Sequence, residues 1–382
     1  MKAEVLSLKD LFQIGSSKRV LKSQWKDDGV PFYRGREVTR LAMDGFVNNE
    51  LFIAEDHYME LASQCGVPKA GDIVITAIGT IGNSYIVQEG DRFYFKDASV
   101  LWLKKSSNVS SQFVNLWLKS PVFFDQLDRG NGATVDTLTI QKLQSVQIRI
   151  PSLPEQHRIV AILDEAFDGI ATAKANAEKN LQNARALFES HLQSVFTKRG
   201  EGWMETTLDK ISTNLDSKRI PITKNVRSCG EYPYYGASGI VDYVADYIFE
   251  GDNLLVSEDG ANLLARSTPI AFSVTGKYWV NNHAHILHFE NMATQRFAEF
   301  YLESIKLDEY ITGAAQPKLN QKALNSIPVP IPKLVDEQAK IVESIETLQE
   351  ETQRLASLYQ KKLTALDDLK KSLLHQAFSG QL

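Results

Sequence analysis

The 382-residue sequence lacks the features that mark several large classes of protein. It holds two cysteines, Cys65 and Cys229, far apart and without a CxxC partner, which removes a structural zinc cluster and argues against a disulfide scaffold. No apolar run reaches the length of a bilayer span, so no membrane association is expected. The opening MKAEVLSLKD has no apolar core of the kind a secretion signal needs, and a cytoplasmic location is the resulting expectation.

Catalytic signatures are equally scarce. AFSVTGKYW at 271–279 has the Gly-Lys pair of a phosphate loop but neither its first glycine nor the hydroxyl residue that follows the lysine. No GxSxG elbow, HExxH or kinase set occurs, and without any Pro-Pro pair there is no Asn/Asp-Pro-Pro-aromatic tetrapeptide of an amine methyltransferase. NHAHILH at 282–288 crowds His283, His285 and His288, and a strand there would put His283 and His285 on one face, as a metal site requires. The corresponding KDASVLW of the first half has no histidine, so ordinary surface or core roles are expected and no metal is assigned. IGTIGN at 78–83 has the GxxG spacing of a backbone clamp, which a tight turn between strands explains equally well. The chain therefore reads as a binder rather than a catalyst.

Net charge is −5, yet residues 1–150 carry 18 Lys and Arg against 17 Asp and Glu, so the acidic excess lies downstream. Any nucleic-acid surface must then be a local patch.

What the sequence has in plenty is repetition, which decides architecture before any local reading. GATVDTLTIQKLQSVQIRIP at 132–151 aligns without a gap to GAAQPKLNQKALNSIPVPIP at 313–332. After one inserted residue, EQHRIVAILDEAFDG from Glu155 tracks EQAKIVESIETLQEE from Glu337. Upstream, LSLKDLFQIGSSKR resembles TTLDKISTNLDSKR, and GDIVITAIGTIGN resembles GDNLLVSEDGANL. Short β-branched runs bounded by Gly, Asp or Asn predict strands, and the spacing around 113–127 predicts helix. The expected domains are 1–150, a helix over 151–198, a second domain at 199–331, and a second helix with the tail at 332–382. Alternate prolines at 328, 330 and 332 exclude a central strand and suggest an extended strap.

A heptad seam runs Ile341, Ile345, Leu348, Thr352, Leu355, Tyr359, Lys362, Leu366, Leu369, Leu373. The same register in the first copy gives Ile159, Leu163, Ala166, Ile170, Ala173, Ala177, Asn180, Ala184, Leu187, His191. Two alanine seams would bury too little area, whereas an alanine seam and a leucine seam pack closely. The expectation is an antiparallel, intramolecular coiled coil with pseudo-twofold symmetry.

This combination resembles the specificity subunit of type I restriction-modification systems. The likeness is carried by GAAQPKLNQKALNSIPVPIPKLVDEQAKIV, YPYYGASGIVDYV at 232–244, IPSLPEQHRIVAILD at 150–164 and the tail LLHQAFSGQL. It implies an α+β chain with two mixed α/β target-recognition domains separated by the helix pair, each domain reading one half of a bipartite double-stranded DNA site. It also implies partners: two methylation subunits that use S-adenosylmethionine to methylate adenine at N6, and restriction subunits that need ATP and magnesium. No cofactor and no catalytic residue is then expected in this chain. Loops mixing basic, hydroxyl, amide and aromatic residues are the candidate readers. In the first domain these are Lys18, Arg19, Arg34, Arg36, Thr80, Asn83, Thr134 and Lys142, and in the second Lys218, Arg219, Tyr235, Ser238, Ser257, Lys318, Asn320 and Lys322. The competing expectation is a scaffold or decoy that binds partners through its coiled coil without reading DNA.

Overall fold

The computed structural model describes residues 3–127, 137–313 and 315–382. It divides into two units, Met1–Ala177 with Lys362–Leu382, and Glu178–Lys361. Two helices of 45 residues, Leu153–Thr197 and Val335–Ser379, each contribute to both.

The first unit is built on a four-stranded antiparallel sheet in the order Phe12–Gly15, Val100–Lys105, Ile73–Thr76, Ser84–Ile86. Ile73 and Ile75 pack among Phe113, Trp117 and Phe123, while Val74 turns to the other face against Phe95 and Trp102. A strand covered on both faces has no polar alternation to display, which is why Ile73-Val74-Ile75 runs apolar without a break. A second sheet orders Trp25–Lys26, Phe52–Ile53, Val30–Tyr33 and Tyr94–Phe95, its last pair parallel. The helical spacing over 113–127 becomes two helices, Ser111–Leu118 and Pro121–Leu127. Pro121 opens the second, where its missing N–H costs nothing, and Ser120 closes the turn by donating to Trp117 O at 2.7 Å.

The second unit repeats this plan. Its first sheet orders Thr213–Asn214, Ala284–His288, Asn253–Ser257 and Ala271–Val274. Leu254 and Val256 pack with Phe297 and Phe300 of helix Met292–Ser304, and Leu255 faces Phe249 and Tyr278. The second sheet orders Gly239–Val244, Cys229–Gly236, Lys277–Val280 and Phe249–Glu250, again with one parallel pair.

Hydrogen bonding gives the true correspondence between the copies. Leu138 N donates to Ala77 O and Leu319 N to Glu258 O, each at 2.8 Å. Ala77 therefore stands where Glu258 stands, one residue off the gapless match of the two Gly-Asp segments. By the same registers Leu101 matches His285, and Ser16 and Arg19 match Asp216 and Arg219.

The proline segment is a strand of a two-stranded pair. Pro328–Pro332 lies antiparallel to Trp203–Thr207, as Gln147–Ile150 does to Glu4–Ser7. Alternation lets the prolines share one edge while Val329 and Ile331 keep the N–H groups that can face the partner, so the ladder loses no donor it uses.

Within each unit the long helices pack antiparallel. In the first, Ile159 and Leu163 share a core with Leu374 and Phe378, and Lys174 Nζ lies 2.7 Å from Asp367 Oδ1. In the second, Leu192 and Phe196 share a core with Val342 and Ile345. The seam departs from a strict heptad. Asn180, Lys362, Leu187 and Leu369 are exposed, the two leucines by 54% and 46%, and Leu181, Leu363 and Phe188 turn inward instead. Both helices take a step of four after a step of four, Ala173–Ala177–Leu181 and Leu355–Tyr359–Leu363. Such a stutter lets a helix of 3.6 residues per turn recover the seam that a repeat of 3.5 would lose.

Candidate nucleic-acid interface

In the first unit the strand ends near Tyr33, Thr76, Ser84 and Val100 support a polar surface. Helix Gly35–Asp44 follows Val30–Tyr33 directly. Gly35 lies beside Thr76, Ile78 and Ser99, all within 4 Å of where its Cβ would stand. Val38 and Leu41 anchor the helix inward. Arg36, Arg40 and Met43 recur at helical spacing on its exposed side, with Phe46 just beyond.

Glu37, only 3% exposed, organises the start of this helix. Its carboxylate accepts from Arg34 N at 2.9 Å, Arg34 Nε at 3.1 Å, Arg34 Nη2 at 2.8 Å and Arg36 Nε at 2.5 Å. Burial alone would raise its pKa, but the guanidinium groups of Arg34 and Arg36 and the Arg34 amide outweigh burial and bring it to about 2. Arg36 also reaches Glu50 through Nη2.

Asn83 Nδ2 donates to Thr39 Oγ1 at 3.1 Å, tying the helix to the glycine loop, and Thr76 Oγ1 donates to Thr80 O at 2.5 Å inside that loop. Arg19 reaches Asp97 with 74% of its side chain exposed, and Lys18 contacts Gln64. Lys142 sits in the short helix Ile140–Ser145, capped by Thr139. Arg34 and Arg36 thus share Glu37, and Asn83 bonds Thr39 of the same helix, with Thr80 in the same loop as Asn83. Thr134 lies outside the described residues.

The matching region of the second unit is built from different chemistry. His285, 1% exposed, has Nδ1 at 2.5 Å from Asp216 Oδ2 and Nε2 at 2.7 Å from Leu319 O. Arg219 donates to Glu258 Oε2 at 2.6 Å and Ala284 O at 2.8 Å, and Lys318 Nζ lies 3.1 Å from Glu258 Oε1. Burial opposes ionisation of Asp216, yet the bonds to His285 and Ile286 N and the charge of Arg219 hold its carboxyl below the usual range. Glu258 is lowered likewise, burial being outweighed by Arg219, His285 and Lys318. Ligand atoms of Asp216, Glu258 and His285 lie within 4.8 Å of one another. Both ring nitrogens already face protein oxygens and two cations sit on Glu258, so the set is a closed ion network. His283 pairs instead with Asp259 at 2.9 Å and His288 with Asn253 at 3.2 Å, so the three histidines serve three separate contacts.

Several of the residues singled out from sequence turn inward here. Ser257 is fully buried and donates to Ala237 O, and Arg219 is 14% exposed where Arg19 is 74%. Asn320 uses its side chain to cap helix Gln321–Asn325, and Tyr235 packs on Phe272 and Tyr278. Lys218, Ser238 and Lys322 are exposed. The hairpin Cys229–Gly236 and Gly239–Val244 carries Ile240, Val241 and Tyr243 about half exposed.

Sequence reasoning missed Glu37, Asp216 and Glu258. A signal existed for Glu37, which stands three residues after Arg34 in the capping-box position. None existed for the other two, because their partners lie 69 and 39 residues away in the chain.

Two copies of one frame with unlike surfaces at the equivalent place define a class. A model of the type I restriction modification DNA specificity domain matches residues 2–182 and again 200–362, and the chain belongs to that family. Over 181 residues it is 35% identical to a protein of Haemophilus influenzae named as type I restriction enzyme specificity subunit S.HindORF215P, a match covering 43% of this chain and 46% of that one. Over 151 residues it is 30% identical to the type I restriction enzyme EcoBI specificity subunit of Escherichia coli, covering 38% and 31%. The chain thus matches less than half the length of these curated relatives. Among solved structures, a chain reported for the assembly and conformational transition of the type I R-M system has a TM-score of 0.79 at 15% identity, covering 100% of this chain and 98% of its own. The HsdS subunit from Thermoanaerobacter tengcongensis has a TM-score of 0.64 at 15% identity, covering 100% and 97%. At that identity the likeness is one of fold. Among the described residues no helix is long and apolar enough to cross a membrane.

Proposed function

We propose that this chain is the DNA-reading subunit of a type I restriction-modification complex, with each unit reading one half of a bipartite duplex site. The observation that carries the reading is a single one. After equivalent parallel-paired strands, the first unit places helix Gly35–Asp44 and the second places the turn and strand of a hairpin. A common frame with exchangeable readers is what two different half-sites require.

In this reading Lys18, Arg19, Arg34, Arg36, Thr80, Asn83, Thr134 and Lys142 serve the first half-site, with cations on phosphates and amide or guanidinium groups on bases. Lys218, Ser238, Lys318 and Lys322 serve the second at the surface, while Arg219, Tyr235, Ser257 and Asn320 shape the loops that face it. The long helices dock two methylation subunits, which bring S-adenosylmethionine and flip the target adenine. Restriction subunits with ATP and magnesium complete the complex, and this chain contributes no catalytic group.

Exchange of residues 3–150 for those of a chain with another specificity tests the reading. One half of the N6-methyladenine motif laid down by the assembled complex should change and the other half should stay. A motif unchanged by the exchange would refute it.

A further inference from the structure

The start of helix Gly35–Asp44 holds an arginine in an unusual state. Arg34 uses Nε and one N–H of Nη2 on Glu37, and its backbone N–H binds the same carboxylate. A guanidinium has five N–H groups in one plane. The outer edge, formed by Nη1 and the second N–H of Nη2, therefore still carries parallel donors, and none of them meets an acceptor among the described residues. Three bonds to one buried carboxylate fix the plane of the fork, and the side chain remains 26% exposed.

The surroundings match. Arg36, Arg40 and Met43 line the exposed side of the same helix, and Asn83 and Thr39 are already bonded at its flank. A ten-residue helix with a cationic outer side has dimensions that a major groove admits. The acceptor pair that fits a planar two-donor edge there is O6 and N7 of guanine; adenine offers one acceptor and one donor at that edge, and so does not accept both N–H groups. The unit-2 hairpin exposes Ile240, Val241 and Tyr243, and the Arg227 beside it is held through Nε by Ile222 O and through Nη1 by Asp242, not through both by one buried carboxylate as Arg34 is.

We propose that Arg34 reads a guanine in the half-site of the first unit, and that Glu37 is the positioning residue that aims it. This rests on the DNA-reading function above and adds the base and the two residues responsible. Glu37 touches no DNA in this arrangement. It removes the rotational freedom that Arg34 would otherwise lose on binding.

The test is selection from a random duplex library by the assembled complex of this chain and its methylation subunit. The wild type should enrich a bipartite motif. Arg34→Lys keeps the charge but loses the fork, so preference at one G·C pair of one half-site should fall about 10- to 100-fold while the other half-site is unchanged. Glu37→Gln should weaken preference at that same pair, whereas a purely structural role would lower affinity for all sequences alike. Replacing that guanine by 7-deazaguanine should weaken the wild type and leave Arg34→Lys unmoved. If Glu37→Gln melts early, Arg34→Lys and 7-deazaguanine carry the test. Retained discrimination in Arg34→Lys, or loss at a pair without guanine, overturns the proposal and leaves the two-reader function standing. A wild type that enriches no bipartite motif overturns that function, and this proposal with it.

Discussion

Gln338 donates from Nε2 to the carbonyl oxygen of Pro332 at 2.7 Å, and Gln156 donates in the same way to Pro151 at 2.9 Å. Each side-chain oxygen also accepts a bond from its own domain, from Thr294 Oγ1 at 2.6 Å and from Ser110 N at 2.9 Å. Both amides are nearly buried, 5% and 2% exposed. One residue near the start of each long helix thus binds the last residue of the strap and the end of a domain helix, which fixes the direction in which the long helix leaves.

Gln338→Ala should therefore cost about 1–3 kcal/mol, because it leaves the Pro332 carbonyl without its donor, while the Thr294 hydroxyl falls back on Asn291 Oδ1. Gln338→Glu should be comparably damaging, since a carboxylate cannot donate to a carbonyl. Urea unfolding of both variants checks this, and Gln156 should behave alike.

Removal of one member of the network around His285 should be more damaging still. Asp216→Ala leaves the buried His285 ring and the Ile286 N–H without their acceptor, a change worth roughly 3–5 kcal/mol. Removing Asp216, Arg219 and His285 together, as Asp216→Ser, Arg219→Leu and His285→Leu, should cost less than the sum of the single changes, because these partners leave together while Glu258 keeps Lys318 at 3.1 Å. Urea midpoints of the singles and the triple decide.

The same network sets an acid limit. The pKa of Asp216 is lower folded than unfolded, so its contribution is present in full above the ordinary carboxylate value near about pH 4 and is lost as pH falls through the folded value. Glu37 behaves likewise, losing its contribution between the ordinary glutamate range and about 2. Urea midpoints for the wild type should fall below about pH 4 more steeply than those of the triple variant.

The stutter in the long helices separates neighbouring residues. Leu187→Ala should change stability by less than about 0.5 kcal/mol. Phe188→Ala, which opens the core holding Leu192 and Phe196, should cost about 2 kcal/mol or more. A strict heptad reverses that order, and thermal melts of the two variants distinguish them.

The strap offers a comparison of opposite kind. Val329→Pro removes an N–H that faces Trp203–Thr207 and should cost about 3 kcal/mol, while Pro328→Ala, at the exposed position of the opposite edge, restores a donor to solvent and should cost far less. Chemical denaturation measures both.

Much of this was legible in the residues. The hinge segments, the long helices and the central strands depend on contacts near in sequence or on periodicities a single chain displays. The predicted seam held from Ile159 to Ala177 and failed at Asn180, where a 3.5-residue rule meets a 3.6-residue helix. The paired KR motifs show the other limit. Lys18-Arg19 and Lys218-Arg219 are identical in sequence and occupy equivalent places, yet Arg19 is exposed beside Asp97 and Arg219 is sunk against Glu258.

By itself the sequence determined the duplication, the helix pairing and the absence of catalytic motifs, because repeat and pattern survive without knowledge of neighbours. Only the tertiary structure decided which cations face outward. Exposure depends on what the fold places opposite each charge, and for Arg19, Arg219 and His285 that partner is set by strand register and burial rather than by position in the chain.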